Sequence, residues 1–457
     1  MSLFKLNDIA LKGKGNLIGA HSNLKVSRLS IDSRTTLNRD LFIALKGPFF
    51  DGHDFLEEAK KKGAASFVVE RPVDLFQPYI LVKDTHKFLE DLGKERRKDF
   101  SGKVIGVTGS NGKTSTKEII SSILSKKGRC HKTEGNKNNQ IGVPLSLSSL
   151  NNDFNFSVIE IGTNSPGEID SLSKLVKPDI ALITNAAESH LEGLGSLKSV
   201  VKEKGSILDN LKDNGVAILP RDSRFYKEWK ERAGNKKIVT FGSNNKSNVI
   251  LEKVEVNIFK NITSFRIKCL DLILDCEVRG IGNANSLNAS SAFAVAHALN
   301  LDLNEISSNL KNVVFPERRL SVHKGFKNCL VIDDTYNSNP DSMKISLDVV
   351  RDLKQRKRIF IAGEMAELGE NKQLFHNQIS EYAKDCVDEF LCIGKLWEEG
   401  IKNLSGIGKL FASKEDILDY LFKTAQRESI IIVKGSRSTN MDFISDKLKR
   451  KDVSRVF

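Results

Sequence analysis

The stretch from Val104 to Glu118, V-I-G-V-T-G-S-N-G-K-T-S-T-K-E, leaves few ways to fold the chain around it. Val104, Ile105 and Val107 form a short β-branched run that suits a buried strand. Gly106, Gly109 and Gly112 follow at even spacing, Lys113 and Thr114 come directly after them, and Ile119, Ile120, Ile123 and Leu124 then recur at helical spacing. Strand, glycine-rich turn and helix N-terminus in that order make a phosphate cradle. Small residues let backbone N–H groups close on the phosphates, and the helix dipole favours negative charge. The general phosphate-loop pattern asks for a glycine five before Gly112, where this chain has Val107; the nearest glycine, Gly109, is three before it. A bare G-x-x-G also describes a tight turn, but the Gly-Lys-Thr tail and the strand-helix setting favour a nucleoside triphosphate site. Lys113 would reach the β/γ-phosphates and the Thr114 hydroxyl would hold Mg²⁺.

The rest of the chain supplies α/β units around this loop. The 457 residues suffice for about three domains. Residues 1–100 predict a small N-terminal α/β unit, with strands at 41–45 and 65–69 and a helix at 55–62. Over 101–314 the apolar runs at 104–107, 156–161, 180–184, 216–219 and 238–241 alternate with helical patterns. That is the signature of a mostly parallel, doubly wound sheet. An antiparallel excursion is expected between Val249 and Val278, and an alanine-rich helix over 288–299. Residues 315–457 predict a second open, Rossmann-like α/β sheet from runs at 329–332, 358–362, 390–393 and 430–433.

A formal charge of +13 suits either a nucleic-acid partner or the steering of anionic substrates. The basic residues are spread along the chain, with no RNA-binding signature and no helix-turn-helix pattern, which favours anionic substrates and no nucleic acid. Six cysteines without a C-x-x-C pair argue against a zinc site or a disulfide framework and fit a reducing compartment. Lys5 and Asp8 interrupt the N-terminal apolar residues, so no signal peptide is expected, and no apolar run reaches the ~20 residues that span a bilayer. A cytoplasmic location follows, with no membrane insertion.

Two further segments point into the crevice beyond the carboxyl ends of the strands, where open sheets collect ligands. Glu160 closes the run Val158-Ile159-Glu160 among apolar neighbours, the kind of place from which a carboxylate offers oxygen to a hard cation. His190 follows the run at 180–184 and is a candidate ligand for a second metal. Near the N-terminus, Asp32-Ser33-Arg34 and Lys46-Gly47 put charge beside small turn residues, which suits an anionic ligand as well as an ordinary surface turn.

On these residues the chain resembles the Mur ligases, the amide-forming ligases of peptidoglycan synthesis. Thr108-Gly109-Ser110-Asn111-Gly112-Lys113-Thr114-Ser115 resembles the family's ATP loop, and Asn138 and Asn139 fall in a segment similar to its asparagine-rich substrate stretch. The resemblance implies that Glu160, His190 and Thr114 hold Mg²⁺. It also implies that Lys204 is the lysine often carbamylated in the family, able as an anion to join the metal site, although Lys202 is close by. Asn285 and Asn288 match the helix near the adenine, with Ala284 where the family has histidine. Arg319 matches the arginine of the γ-phosphate, with Arg318 as a rival, and Asp334 would face ribose and phosphates from the third unit. Lys113, Lys204 and Arg319 are thus the expected catalytic set. Asp32, Ser33, Arg34, Lys46, Gly47, Asn138, Asn139, Tyr336 and Asn337 are the expected substrate contacts.

The stretches 334–343, 363–369 and 434–438 resemble the branch of the family that joins D-alanyl-D-alanine to UDP-N-acetylmuramoyl-tripeptide. The implied cofactors are ATP and Mg²⁺, and a monomer is expected. The alternatives are another Mur-type ligase, a folylpolyglutamate synthase, or a nucleic-acid-dependent ATPase. Whether the third residue of the tripeptide is lysine or diaminopimelate stays open.

Overall fold

Strands buried on both faces read as near-continuous apolar runs, and the computed structural model, which describes residues 4–19, 23–75, 77–404 and 406–449, shows them in three large sheets, with a two-stranded ribbon of Phe4–Lys5 and Lys25–Val26 beside them. The outermost ends of the first and third expected units, 1–3 and 450–457, lie outside the described residues. In the central nine-stranded sheet, Ile180 and Leu182 face one core and Ala181 and Ile183 the other. Period-two alternation therefore serves two apolar layers at once. The C-terminal six-stranded sheet repeats this: Ile430 and Ile432 enter one cluster, Ile431 and Val433 the opposite one. A five-stranded, mostly parallel sheet forms the N-terminal unit.

The strand Lys103–Thr108 pairs in parallel with Phe156–Glu160 on one side and Ile180–Ile183 on the other. The chain runs outward in one direction, then crosses back, so the order reverses beside Lys103–Thr108 and opens a crevice at its carboxyl end. The helix Lys113–Leu124 buries Ile119, Ile120, Ile123 and Leu124 in the same cluster as the alanine-rich helix Asn283–Ala298. Alanines at 289, 292, 294 and 296 keep that second helix thin enough to lie close to the loop helix. The expected antiparallel excursion is present and extends the central sheet: Val249–Asn257 pairs in parallel with Lys237–Gly242, and Ile262–Cys269 and Leu272–Arg279 follow antiparallel.

The N-terminal unit is fastened to the centre through the helix Thr85–Asp99. Buried Arg97 donates from Nε to the Val176 carbonyl at 2.7 Å and from Nη2 to the Lys177 carbonyl at 2.8 Å. All six cysteines are free thiols.

In the C-terminal sheet, buried Asp333 pairs with Lys449 at 2.6 Å and accepts from the Thr335 hydroxyl at 2.6 Å. Burial pushes the Asp333 carboxyl up, but Lys449 and Thr335 outweigh it and hold the group below the usual carboxylate range. A depressed native pKa gives stability that is present above the unfolded value, about 3.9, and is lost as pH falls through the native one. Lys449→Met should therefore destabilise this unit by about 2 kcal/mol at pH 7, with a deficit that shrinks below about pH 4. An unchanged Tm at pH 7 would refute the role of the pair.

Candidate active site

The loop between Thr108 and Lys113 depends on two glycines in left-handed backbone. Gly109 has φ 149° and Gly112 φ 81°. A Cβ on Gly109 would lie 1.9 Å from Thr184 Oγ1, and one on Gly112 would lie 2.4 Å from Asn288 Oδ1. Asn288 thus packs directly on the loop. Thr184 Oγ1 donates to the Asn111 carbonyl at 2.6 Å, and the Asn111 N–H donates to Asn185 Oδ1 at 2.9 Å. Ser110 Oγ is enclosed by the Ala187 N–H and the Ser189 hydroxyl, at 3.0 and 2.8 Å. No side chain caps the helix that starts at Lys113, so its first N–H groups face the crevice. Lys113 Nζ donates back to the Gly109 carbonyl at 2.8 Å. Burial lowers the Lys113 ammonium from its ordinary value, Glu160 opposes this, and the charge of Arg319 adds to the lowering.

Glu160 is buried at the end of its strand. Its Oε1 accepts from Thr114 Oγ1 at 3.2 Å and from Asn138 Nδ2 at 2.7 Å, while Oε2 has no hydrogen-bond partner among the described residues. Fully buried Lys117, one helical turn beyond Lys113, places Nζ 3.5 Å from Glu160 Oε2 and donates to the Gly135 carbonyl at 2.7 Å. The sequence reading passed over Lys117, although i,i+4 spacing from Lys113 puts both on one helix face.

Lys204 lies fully buried on the helix Leu197–Gly205, its Nζ without a hydrogen-bond partner among the described residues, whereas Lys202 is exposed. Burial pushes the Lys204 ammonium far down, and the charge of Lys113 pushes it further. The register question between the two lysines thereby resolves in favour of Lys204 as the buried one. Lys204 does not line the cavity described below.

The C-terminal unit closes over the loop. Arg319 Nη2 donates to Thr114 Oγ1 at 3.0 Å, and its guanidinium lies 3.8 Å over the Tyr336 ring. Arg318, in left-handed backbone at φ 64°, turns the other way and pairs with Asp442. Of the two rivals, Arg319 is the one on the loop. Asn339 caps the helix Pro340–Arg351 through Oδ1, and its Nδ2 donates to Asn111 Oδ1 at 2.9 Å. This clasp joins the loop to the C-terminal unit. His190 Nδ1 approaches Glu367 Oε2 to 2.7 Å without hydrogen-bond geometry at Nδ1, and this contact holds the Glu367 carboxyl below the usual range. Asp334 lines the cavity, but its carboxylate is engaged within its own unit: Oδ2 pairs with Lys434 at 2.6 Å and accepts from Ser346 at 2.7 Å, and Oδ1 accepts from the Leu320 N–H at 3.1 Å. The loops after strands Arg358–Ala362 and Ile430–Lys434 touch through glycines: a Cβ on Gly435 would lie 3.0 Å from Gly363 Cα.

These elements enclose one cavity of about 700 Å³. It gathers the loop from Ser110 to Ser115, Asn138, Asn139, Glu160 and His190 from the centre, and Asn285 and Asn288 from the alanine-rich helix. Arg319, Asp334, Tyr336 and Asn337 reach it from the C-terminal unit, as does Arg437, from the stretch 434–438 that carries part of the resemblance. Ala284 stands in the wall. Thr108 is behind the loop, its hydroxyl on the Ile161 carbonyl at 2.8 Å. Asn139 spends its Oδ1 on the Gly142 N–H at 2.9 Å. The N-terminal set lies apart from this cavity. Asp32 and Arg34 pair with each other at 2.8 Å, Ser33 donates to Glu58 at 2.7 Å, and the Lys46 carbonyl accepts from His86 at 2.9 Å, with Gly47 in the adjoining turn. Among the described residues no three or more His, Cys, Asp or Glu side chains gather as a metal-binding group.

A phosphate loop in one α/β unit, with an arginine from a second unit on its threonine, defines an enzyme that grips a nucleotide between two sheets. Models of the Mur ligase family match three stretches: its catalytic domain at residues 25–97, its middle domain at 107–296 and its glutamate ligase domain at 318–437. The UDP-N-acetylmuramoyl-tripeptide–D-alanyl-D-alanine ligase of Escherichia coli (strain K12) is 35% identical over 445 residues, 97% of this chain and 97% of that one. A crystal structure of MurF from Acinetobacter baumannii matches with a TM-score of 0.86 at 30% identity, covering 98% of this chain and 99% of that one. The MurF ligase from Thermotoga maritima in complex with ADP matches with a TM-score of 0.79 at 26% identity, covering 92% and 97%. The chain belongs to the Mur ligase family.

Proposed function

We propose that this chain joins D-alanyl-D-alanine to UDP-N-acetylmuramoyl-tripeptide in an ATP-dependent, ADP-forming amide synthesis. The observation that carries this is the likeness to such ligases along nearly the whole chain. The residues present fit ATP and Mg²⁺: an uncapped helix N-terminus, two left-handed glycines whose added Cβ atoms would collide with Thr184 and Asn288 and displace the loop, and a buried carboxylate oxygen without a hydrogen-bond partner among the described residues. Thr114 and Glu160 would hold Mg²⁺, an ion that takes few protein oxygens and completes its shell with water and phosphate. Bound there, Mg²⁺ would neutralise phosphate charge.

The first step brings two anions together. A carboxylate oxygen of the tripeptide attacks the γ-phosphorus, the bond to the ADP oxygen breaks, and an acyl phosphate forms. The amine of the dipeptide then attacks the acyl carbon, loses a proton, and inorganic phosphate departs. Lys113 and Arg319 supply cations where the phosphoryl group transfers, and no nucleophilic side chain is required. Asp32, Ser33, Arg34, Lys46 and Gly47 serve the UDP end of the substrate, and Asn138, Asn139, Tyr336 and Asn337 the peptide end. The boundaries 1–100, 101–314 and 315–457 go with these tasks.

Lys204 supports carbamylation by its chemistry. Carbamate formation needs a neutral amine, which attacks the carbon of CO₂ and releases a proton, and this amine is pushed far below its ordinary pKa. The product would be an anion, and with His190 it would offer ligands to a second Mg²⁺. A monomeric, cytoplasmic enzyme with no nucleic-acid partner completes the proposal; among the described residues no helix is long and apolar enough to cross a membrane.

The test is ADP release that requires both UDP-N-acetylmuramoyl-tripeptide and D-alanyl-D-alanine, with the amide product identified by mass. Release driven by DNA or RNA alone would overturn it, and a panel of lysine- and diaminopimelate-containing tripeptides identifies the third residue. The clasp gives a further expectation. Asn111→Ala, which spares the Asn339 cap, should lower kcat roughly tenfold through loss of loop-to-domain positioning, with Tm nearly unchanged. An unaltered kcat would refute it.

A further inference from the structure

The dipeptide acceptor carries a free carboxylate besides the amine that reacts, and a carboxylate entering a cavity needs a cation there. We infer that Arg437 anchors the acceptor's terminal carboxylate; this rests on the ligase function proposed above.

Among the described residues five lysine and arginine side chains line the cavity: Lys113, Arg318, Arg319, Lys434 and Arg437. Four are committed elsewhere. Lys113 folds over the phosphate loop, and Arg319, whose Nη2 is on Thr114 while its buried Nε keeps no hydrogen-bond partner among the described residues, stands at the loop where the proposed reaction uses it for the phosphoryl group. Lys434 is buried between Asp334 and the Asn337 carbonyl, at 2.6 and 3.0 Å. Arg318 is spread across Asp442 and Asp446. Arg437 differs from these. It follows the strand Ile430–Lys434, its side chain is 58% exposed, and among the described residues its one side-chain bond runs from Nη1 to Asp442 Oδ2 at 2.9 Å. The Nε and Nη2 donors keep no partner among the described residues. That edge of the guanidinium is the one that meets a carboxylate with two parallel hydrogen bonds. Asp442 fixes the opposite end, so the fork is held in place before the ligand arrives. Asp442 also takes Arg318, whose second nitrogen reaches Asp446, so the carboxylate that holds Arg437 is itself held in a fixed ion-pair network. The loop that carries Arg437 is seated by Ser436, whose hydroxyl accepts from the Ala366 N–H at 2.7 Å.

The test compares D-alanyl-D-alanine with its C-terminal amide in the full-length enzyme, using ADP release at fixed ATP and UDP-N-acetylmuramoyl-tripeptide. The wild type should prefer the free acid in kcat/KM by roughly 10- to 100-fold, the range of one charge-assisted bidentate pair. Arg437→Gln should lower kcat/KM for the acid by that factor and leave the amide within about threefold, so that the preference disappears. Arg437→Lys, which keeps the charge and loses the fork, should fall between. Each ratio is taken on one preparation, so a partly misfolded variant does not distort it. A preference that survives Arg437→Gln, equal losses for acid and amide, or a wild type indifferent to the carboxylate would each overturn the assignment. A wild type without any activity dependent on D-alanyl-D-alanine would overturn the ligase function instead.

Discussion

Lys113→Ala should retain the fold and lose ligation by at least roughly a thousandfold, the scale of removing a principal cation from phosphoryl transfer. The side chain is half-buried and bonded to two carbonyls of its own loop, Gly109 and Ser110, at 2.8 and 3.3 Å. Its removal leaves the strand, the two left-handed glycines and the apolar face of the helix untouched. Far-ultraviolet circular dichroism and Tm should therefore stay close to the wild type while ADP release with both acceptor substrates present disappears. The loss should fall on kcat more than on KM, because charge builds up at the transferring phosphoryl group. Wild-type-like ADP release from the variant would remove Lys113 from the mechanism.

Lys204→Ala should lose activity by roughly a hundredfold or more, and short carboxylic acids should restore part of it. The wild-type chain buries an amine with no hydrogen-bond partner among the described residues, a costly arrangement unless the amine is neutral or modified. A carboxylic acid diffusing into the space left by the side chain would replace the carbamate. The wild type should also gain activity with bicarbonate near neutral pH, where an ordinary lysine would be almost wholly protonated, because burial and Lys113 have lowered this one. Absence of rescue in the variant, together with bicarbonate-independent wild-type activity, would leave Lys204 unmodified.

The strands of the two larger sheets were legible because strands buried on both faces must be apolar and β-branched, whatever surrounds them. The loop was legible because glycine, lysine and threonine each answer a separate demand of a phosphate. Arg318 and Arg319 could not be told apart by pattern. Adjacent arginines carry the same chemistry, and a single left-handed residue sends one to Asp442 and the other to Thr114. Asp334 read as a ligand-facing carboxylate, while its three close partners, Lys434, Ser346 and the Leu320 N–H, belong to its own unit. The Asn111–Asn339 clasp spans 228 positions, beyond the reach of local patterns. Lys117 was hidden by the usual habit of lysines to face water; only its place one turn past Lys113 hinted at burial against Glu160.

The contact between Gly363 and Gly435 has a consequence for anyone who would redesign the two loops beside the cavity. Their backbones are so close that a single methyl group on Gly435 would press on the Gly363 backbone, on Met441 and on Thr439. Neither loop can be thickened alone, and graftable variation is confined to matched pairs exchanged together. Libraries that randomise one loop at a time should yield mostly insoluble or inactive chains, whereas swapping both from one donor keeps their mutual spacing.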